Sequence, residues 1–517
     1  MGLEGARGRG RWPPSACPVV APQLCVPKLD PRGACNQRSL GAAGTPEEAS
    51  AWRWLQVQRY AVRRMSGLVV GEEPEEGVPG RDPDAGRLSA LLASLPALMS
   101  ISAMDLRADL HRRPSAPAVR AFLAGAARAI ARCSCLWHLS LYITLLGGLA
   151  DQLPEALTRE LASVRFLEEL TLSFAARGAA RPDWPATFSL ARVVADLARL
   201  SRLRGLSLTV RNVSMEATLP ACVSRLTQLT SLSLHGFDGL RCEPGWARLP
   251  ALVRLRLEAC VFACDGEAAL PRMDTLVSLT SLDIMVCPGL RLLPASLWRG
   301  SQLRRLMHWT RKWDLTGAPR GALPLAGLHA GGAPCFASLA HLNLMGHNLA
   351  TFPPAILTAT RMTHLDLSYC CFEHLPEGVT VLTALTELQS GRHFVRGEGE
   401  IGGALDARAL GSLAGFPHLR HLSFNNCSML VGSDFQAAAA HPCLGWLVLR
   451  ASYPALGPSC GAFLGFVLAL LQQRRPDVLG MFDSIITGAG RQDSLCFRAA
   501  LRAVGYPLHD EDVLDLL

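Results

Sequence analysis

The sequence predicts an α/β solenoid: a parallel sheet assembled one short strand at a time, with helices or turns on each return path. Three observations predict it. Leu342, Leu365 and Leu388 stand 23 residues apart, and each is the second leucine of a Leu-x-x-Leu frame. A third apolar residue follows on the same beat in Leu339-x-x-Leu342-x-Leu344 and Met362-x-x-Leu365-x-Leu367. The frame also recurs along most of the chain at the spacing of roughly 20–29 residues that one strand and one return segment need. Such an array is a binding surface first and rarely a catalyst.

The elements follow in order. Residues 1–85 are rich in Pro, Gly and Arg, carry an acidic knot at Glu72–Glu76 and show no sustained periodicity, so they are expected to be disordered. The first forty residues are Arg-leaning and acid-poor, which leaves an organelle transit peptide open. Leu88, Leu91, Leu92, Leu95 and Leu98 return at helical spacing, and residues 86–115 are therefore expected to form a helical N-terminal cap.

The solenoid itself is expected over residues 116–458. Its strands are marked by Leu136/Leu139/Leu141, Leu167/Leu170/Leu172, Leu203/Leu206/Leu208, Leu229/Leu232/Leu234, Leu252/Leu255/Leu257 and Leu279/Leu282/Ile284. Leu303/Leu306, the two frames above, Leu385/Leu388, Leu419/Leu422/Phe424 and Leu444/Leu447/Leu449 complete about twelve repeats. Stacked at roughly 4.8 Å, they would make a curved parallel sheet about 50 Å long on the concave side, with helices and turns on the convex side.

Repeat length varies. The early repeats are long and hold amphipathic stretches such as Ser189 to Leu200, expected as full helices. The later ones carry Phe352-Pro353-Pro354 and Leu375-Pro376, expected as brief turns because Pro fixes φ. Gly-rich insertions near 314–334 and 391–412 interrupt the beat and are expected as surface loops. Residues 459–517 hold two or three helical stretches, expected as a C-terminal cap that covers the apolar end of the array.

Composition narrows the function. Hydrophobic residues make up 49% of the 517, so a large core is available, and a formal net charge of +8 is mild for this length, which argues against nucleic acid as partner. Lys28 and Lys312 are the only lysines, which reads as GC-rich coding rather than function. The longest apolar run, Ala462 to Leu471, is about half a membrane span. Seventeen cysteines without disulfide-type spacing, and no uninterrupted apolar leader, point to an intracellular, most simply cytoplasmic, setting; a cytoskeletal or axonemal site or organelle import stays open. No phosphate-binding loop, kinase signature, Gly-x-Ser-x-Gly elbow or His-Glu-x-x-His is present, so no catalytic residue, cofactor or metal is assigned.

Four frames end in cysteine: Leu257-Glu-Ala-Cys260, Ile284-Met-Val-Cys287, Leu367-Ser-Tyr-Cys370 and Phe424-Asn-Asn-Cys427. On these motifs residues 115–458 resemble the leucine-rich-repeat superfamily, with a mixture of its cysteine-containing repeats and its plant-type Leu-Pro repeats. The resemblance implies that these cysteines point inward and bond loop backbone groups. The physics agrees, since a buried turn leaves backbone groups that need partners. Cys260 and Cys264 lack a second ligand pair at zinc spacing, so the thiols read as structural.

Strand alternation sends the residues between the leucines outward. Arg254, Arg305, Trp309, His341, His364, Asp366, His421, Trp446 and Arg450 are the expected partner-binding residues, because exposed Trp and Arg are enriched at protein hot spots. Side chains in register on neighbouring strands lie about 5 Å apart, so His341, His364 and Asp366 should cluster. Trp309 could instead pack beneath the 314–334 loop. The function expected is a non-catalytic protein-interaction module or scaffold. A ubiquitin-ligase substrate adaptor, binding a ligase core subunit through residues 86–115, is the first alternative; a cytoskeletal or axonemal repeat protein is the second.

Overall fold

The computed structural model describes residues 24–25, 64–66, 68–70, 85–109, 116–146, 153–177, 188–211, 215–290, 293–294, 296–297, 302–309, 336–347, 354–368, 370, 378–391, 412–425, 441–444 and 446–450. The chain divides into two compact units, Met1–Met215 and Glu216–Leu517. Each is an α/β solenoid with parallel strands.

In the first unit, strands β1 (Arg64–Ser66), β2 (Ser100–Asp109), β3 (His138–Leu146), β4 (Glu169–Arg177) and β5 (Gly205–Arg211) pair in sequence order. Helices α1 (Ala85–Ala93), α2 (Ala116–Ala131), α3 (Leu153–Leu161) and α4 (Leu190–Leu197) fill the returns and pack each on the next. The periodicity explains them: Leu190, Val193, Val194 and Leu197 of α4 recur at i, i+3, i+4 and i+7, and all four are buried. Ser189 stands in extended conformation at the head of α4, so the helix expected from Ser189 forms from Leu190.

The segment expected as a helical cap over 86–115 differs. Only its first part is the helix α1; Ser100–Asp109 is a strand of the sheet. Ile101, Met104 and Leu106 are buried, and a bulge between Ile101 and Met104, with Ala103 at φ 56°, keeps them facing inward despite broken alternation. That bulge hides the strand from a period-two reading. Upstream, Leu24–Cys25 pairs with β1, and Val69–Val70 pairs with β2. The rest of the N-terminal region, the two insertions and residues 459–517 lie outside the described residues.

The second unit carries β6 (Ser231–His235), β7 (Arg254–Glu258), β8 (Ser281–Met285), β9 (Arg305–Trp309), β10 (His341–Asn343), β11 (His364–Ser368), β12 (Glu387–Gly391), β13 (His421–Asn425) and β14 (Trp446–Arg450). Every neighbouring pair is parallel and in register on the second leucine of the frame. Returns are short 3-10 turns, among them Pro354–Thr358, Val379–Val381 and Ser412–Gly415, as the Pro-bearing repeats require. The frame leucines whose burial is described are 0–3% exposed, as at Leu252, Leu255 and Leu257. Each fully buried one contributes about 1.5–3 kcal/mol, so three per repeat dominate the unit's stability.

In four repeats of this unit the chain leaves the strand through one residue in left-handed conformation, and the backbone then turns inward. Gly236 (φ 79°), Ala259 (50°), Val286 (53°) and Gly346 (83°) fill this position in four repeats. Glycine is at ease there; a β-branched valine is strained. Val286→Gly is therefore expected to raise the melting midpoint of this unit, by a net gain of up to about 1 kcal/mol after the entropy that glycine costs the unfolded chain. Circular dichroism on both proteins measures it.

Candidate partner-binding face

The residue one beyond this position is buried, and in three repeats it is a cysteine whose thiol closes a hydrogen-bond ladder. The Cys260 thiol donates to the Leu234 carbonyl at 3.4 Å, Cys287 to Leu257 at 3.4 Å and Cys370 to Leu344 at 3.2 Å. In each case the acceptor is the third frame residue of the preceding repeat. The Cys287 thiol is pushed well up by its bond to Cys260 and by desolvation, which holds it protonated. Cys427 lies outside the described residues. No group of three or more His, Cys, Asp or Glu among the described residues could hold a metal ion.

His347 occupies this same ladder position, and its Nε2 meets the His308 carbonyl at 2.7 Å. His308 stands where the frame places a third leucine, which is why only Leu303 and Leu306 mark that repeat in the sequence. Both imidazoles are buried, with ring centroids 4.5 Å apart. Neither ring nitrogen of His308 has a full hydrogen-bond partner among the described residues. Desolvation holds His347 down at about 4, and burial together with His347 holds His308 far below the usual imidazole range.

The outward residues form rows that cross the sheet. The row before the second leucine reads Ser231, Arg254, Ser281, Arg305, His341, His364, Glu387, His421 and Trp446 on nine successive strands. Arg254 is exposed between two serines and makes no ion pair among the described residues. Arg305 Nε lies 3.2 Å from Asp283 Oδ1 in the next row. Arg256 on β7 and His235 on β6 both reach Glu258, at 2.7 and 3.5 Å.

The expected cluster forms, with one change. His341 and His364 stack with centroids 4.1 Å apart. Desolvation, then His364 and Arg305, lowers the His341 imidazole below its ordinary range. Asp366 turns instead to Asn343, 2.7 Å away, and to the backbone N–H of Ser368, 2.9 Å away. Burial raises its carboxyl pKa against those two bonds. The residue that sequence reasoning missed is Glu387. Its Oε1 lies 3.3 Å from His364 Nε2 and 3.2 Å from His421 Nδ1, so one carboxylate links two histidines. The signal was present, since Glu387 shares the frame position of His364 and His421. Together Arg305, His341, Asn343, His364, Asp366 and Glu387 line an open concavity of about 140 Å³.

Trp309 is half-buried beside Met285, and the 314–334 loop that could cover it lies outside the described residues. Trp446 and Arg450 sit on β14 in register with His421 and Asn425; their side chains lie outside what is described. Among the described residues no helix is long and apolar enough to cross a membrane.

No protein-family profile matches the chain, and no curated protein does. Among solved structures, a leucine-rich-repeat protein of Leptospira interrogans aligns at 15% identity over 72% of this chain and 92% of that one, with a TM-score of 0.35. A plant ice-binding protein aligns at 17% identity over 45% of this chain and 65% of that one, with a TM-score of 0.27. The repeat architecture rests on the chain's own frames, register and inward ladder.

Proposed function

We propose that the second unit's sheet is a non-catalytic docking surface for a protein partner, and that the chain works as a leucine-rich-repeat scaffold. The observation that carries the reading is the nine-strand row. It sets Arg, His and Trp, residue types suited to hot spots, in register on a rigid parallel sheet whose other side is filled by buried leucines. Arg254 and Arg305 flank Ser281 in this row, and the partner-binding residues are Arg254, Arg305, Trp309, His341, His364, Asp366, His421, Trp446 and Arg450, with Glu387 added.

Charge reversal at Arg254 and Arg305 together is expected to abolish partner capture and leave the circular-dichroism melt unchanged. Proximity labelling in the native cell supplies the partner, and cross-linking mass spectrometry places it. Capture that survives the double reversal, or cross-links that avoid β7–β13, would overturn the reading. The ubiquitin-ligase adaptor has no comparable support, because Ser100–Asp109 of the segment that would recruit a ligase core is paired into the first unit's sheet. No observation favours the cytoskeletal reading.

A further inference from the structure

The buried pair His308 and His347 sits where the pairing between two strands is short. β9 and β10 pair over three residues, whereas β8 and β9 pair over five. Past Asn343 the backbone turns to β11: the Leu344 N–H donates to the Asp366 carbonyl and the Gly346 N–H to the Ser368 carbonyl, both at 2.9 Å. On the β9 side, the last link among the described hydrogen bonds is the one from His347 Nε2 to the His308 carbonyl, at 2.7 Å. The seam between β9 and β10 therefore ends on two buried imidazoles whose centroids are 4.5 Å apart.

A proton on either ring would place a charge in the core with no counter-ion facing it. The groups that act on the pair are the rings themselves, the Leu290 carbonyl beside His308 and the His308 carbonyl at His347. Arg305 on β9 and His341 on β10 alternate to the outward side. The carboxylates of the adjoining strands, Asp283 on β8 and Asp366 on β11, lie in the outward rows and bond Arg305 and Asn343. The neighbouring thiols, Cys287 and Cys370, donate to the Leu257 and Leu344 carbonyls. Asp366 works against the pair, because burial raises its carboxyl and its protonated form suits the folded sheet. Desolvation holds both imidazoles below their ordinary range, so the closed seam refuses protons that an open, hydrated one accepts. The stability they contribute is whole above pH about 6.5 and is lost as pH falls toward about 4.

We propose that the second unit carries an acid-operated seam: protons taken up by His308 and His347 part β9 from β10 while β6, β7 and β8 stay paired. The opening is local because each repeat of such an array touches only its neighbours, so the array can part at one weak interface without unfolding the rest. The seam runs between Arg305 and His341, so its opening breaks the docking row and releases the partner. That consequence rests on the reading of the sheet as a docking surface; the opening itself does not.

Hydrogen exchange read by mass spectrometry on the full chain tests the opening, at pH about 7.5 and about 4.5, with each peptide corrected for the intrinsic pH dependence of exchange. At about tenfold per pH unit for each ring, two units below the unfolded value favour opening by about a hundredfold per imidazole. Protection over β9 and residues 341–347 is therefore expected to fall at least about tenfold more than protection over residues 231–258. His347→Asn keeps a donor for the His308 carbonyl without taking a proton, and should shrink the fall. With His308→Leu added, the fall should vanish. Other groups titrate over the same range, and these two variants separate the pair from them. No acid loss at the seam, an equal loss over residues 231–258, or a loss unchanged in both variants overturns the proposal. Exchange needs no partner, so these results are independent of the docking surface, which fails if partner capture survives the arginine reversal.

Discussion

His308→Leu is expected to make the second unit more stable at neutral pH and to blunt its loss of stability in acid. The substitution restores the third leucine of its frame at a fully buried position. It removes an imidazole whose nitrogens lack full hydrogen-bond partners among the described residues, a burden of about 1–3 kcal/mol. The acid effect has a definite sign. His347 is held down at about 4, against an unfolded value near 6.5. Its contribution is whole above the unfolded value and is lost as pH falls toward the folded one, because only the unfolded chain takes the proton in that window. At about 1.36 kcal/mol per pH unit, His347 alone removes about 3 kcal/mol between those values, and His308 acts in the same direction. Denaturant melts at several pH values measure the slope. A His308→Leu protein that keeps the full acid slope would show that His308 does not titrate on unfolding.

Gly289→Ala is expected to destabilise this unit by about 2–4 kcal/mol, whereas Gly239→Ala should cost about 1 kcal/mol. Both glycines stand two residues beyond the inward ladder position and both have positive φ, 85° and 65°. They differ in what a side chain would meet. A Cβ on Gly289 would run into the Phe262 carbonyl oxygen, while around Gly239 there is open space. Phe262 cannot easily yield, because its N–H donates to the Pro288 carbonyl at 2.8 Å and it is buried. Equal losses in the two variants, read from melting midpoints, would mean that backbone strain rather than close packing sets the cost.

The proposed partner-binding face was legible in the sequence wherever it depended on register. Aligning the frames places His341, His364, Glu387 and His421 in one row by counting alone, and alternation sends them outward. What counting could not give was the direction of each side chain within the row. Asp366 was expected among the imidazoles and instead satisfies Asn343 and a backbone N–H, because it is mostly buried and needs fixed donors. Glu387 became the centre of the cluster because its carboxylate reaches both neighbouring histidines.

Two further features follow from sequence in hindsight but not in advance. The strand Ser100–Asp109 lacks period-two alternation because a bulge resets its phase, and only its pairing with His138–Leu146 reveals it. The buried His308–His347 pair was invisible because a histidine inside a leucine frame reads as a gap in the pattern.

By itself the sequence determined the twelve strands that carry a leucine frame, their register and the inward leucines, because a repeat that buries three residues every turn leaves one way to stack. Tertiary structure alone decided which outward charges are matched and which are spare. Charge pairing depends on side-chain reach across about 5 Å between strands, a distance that no linear spacing encodes.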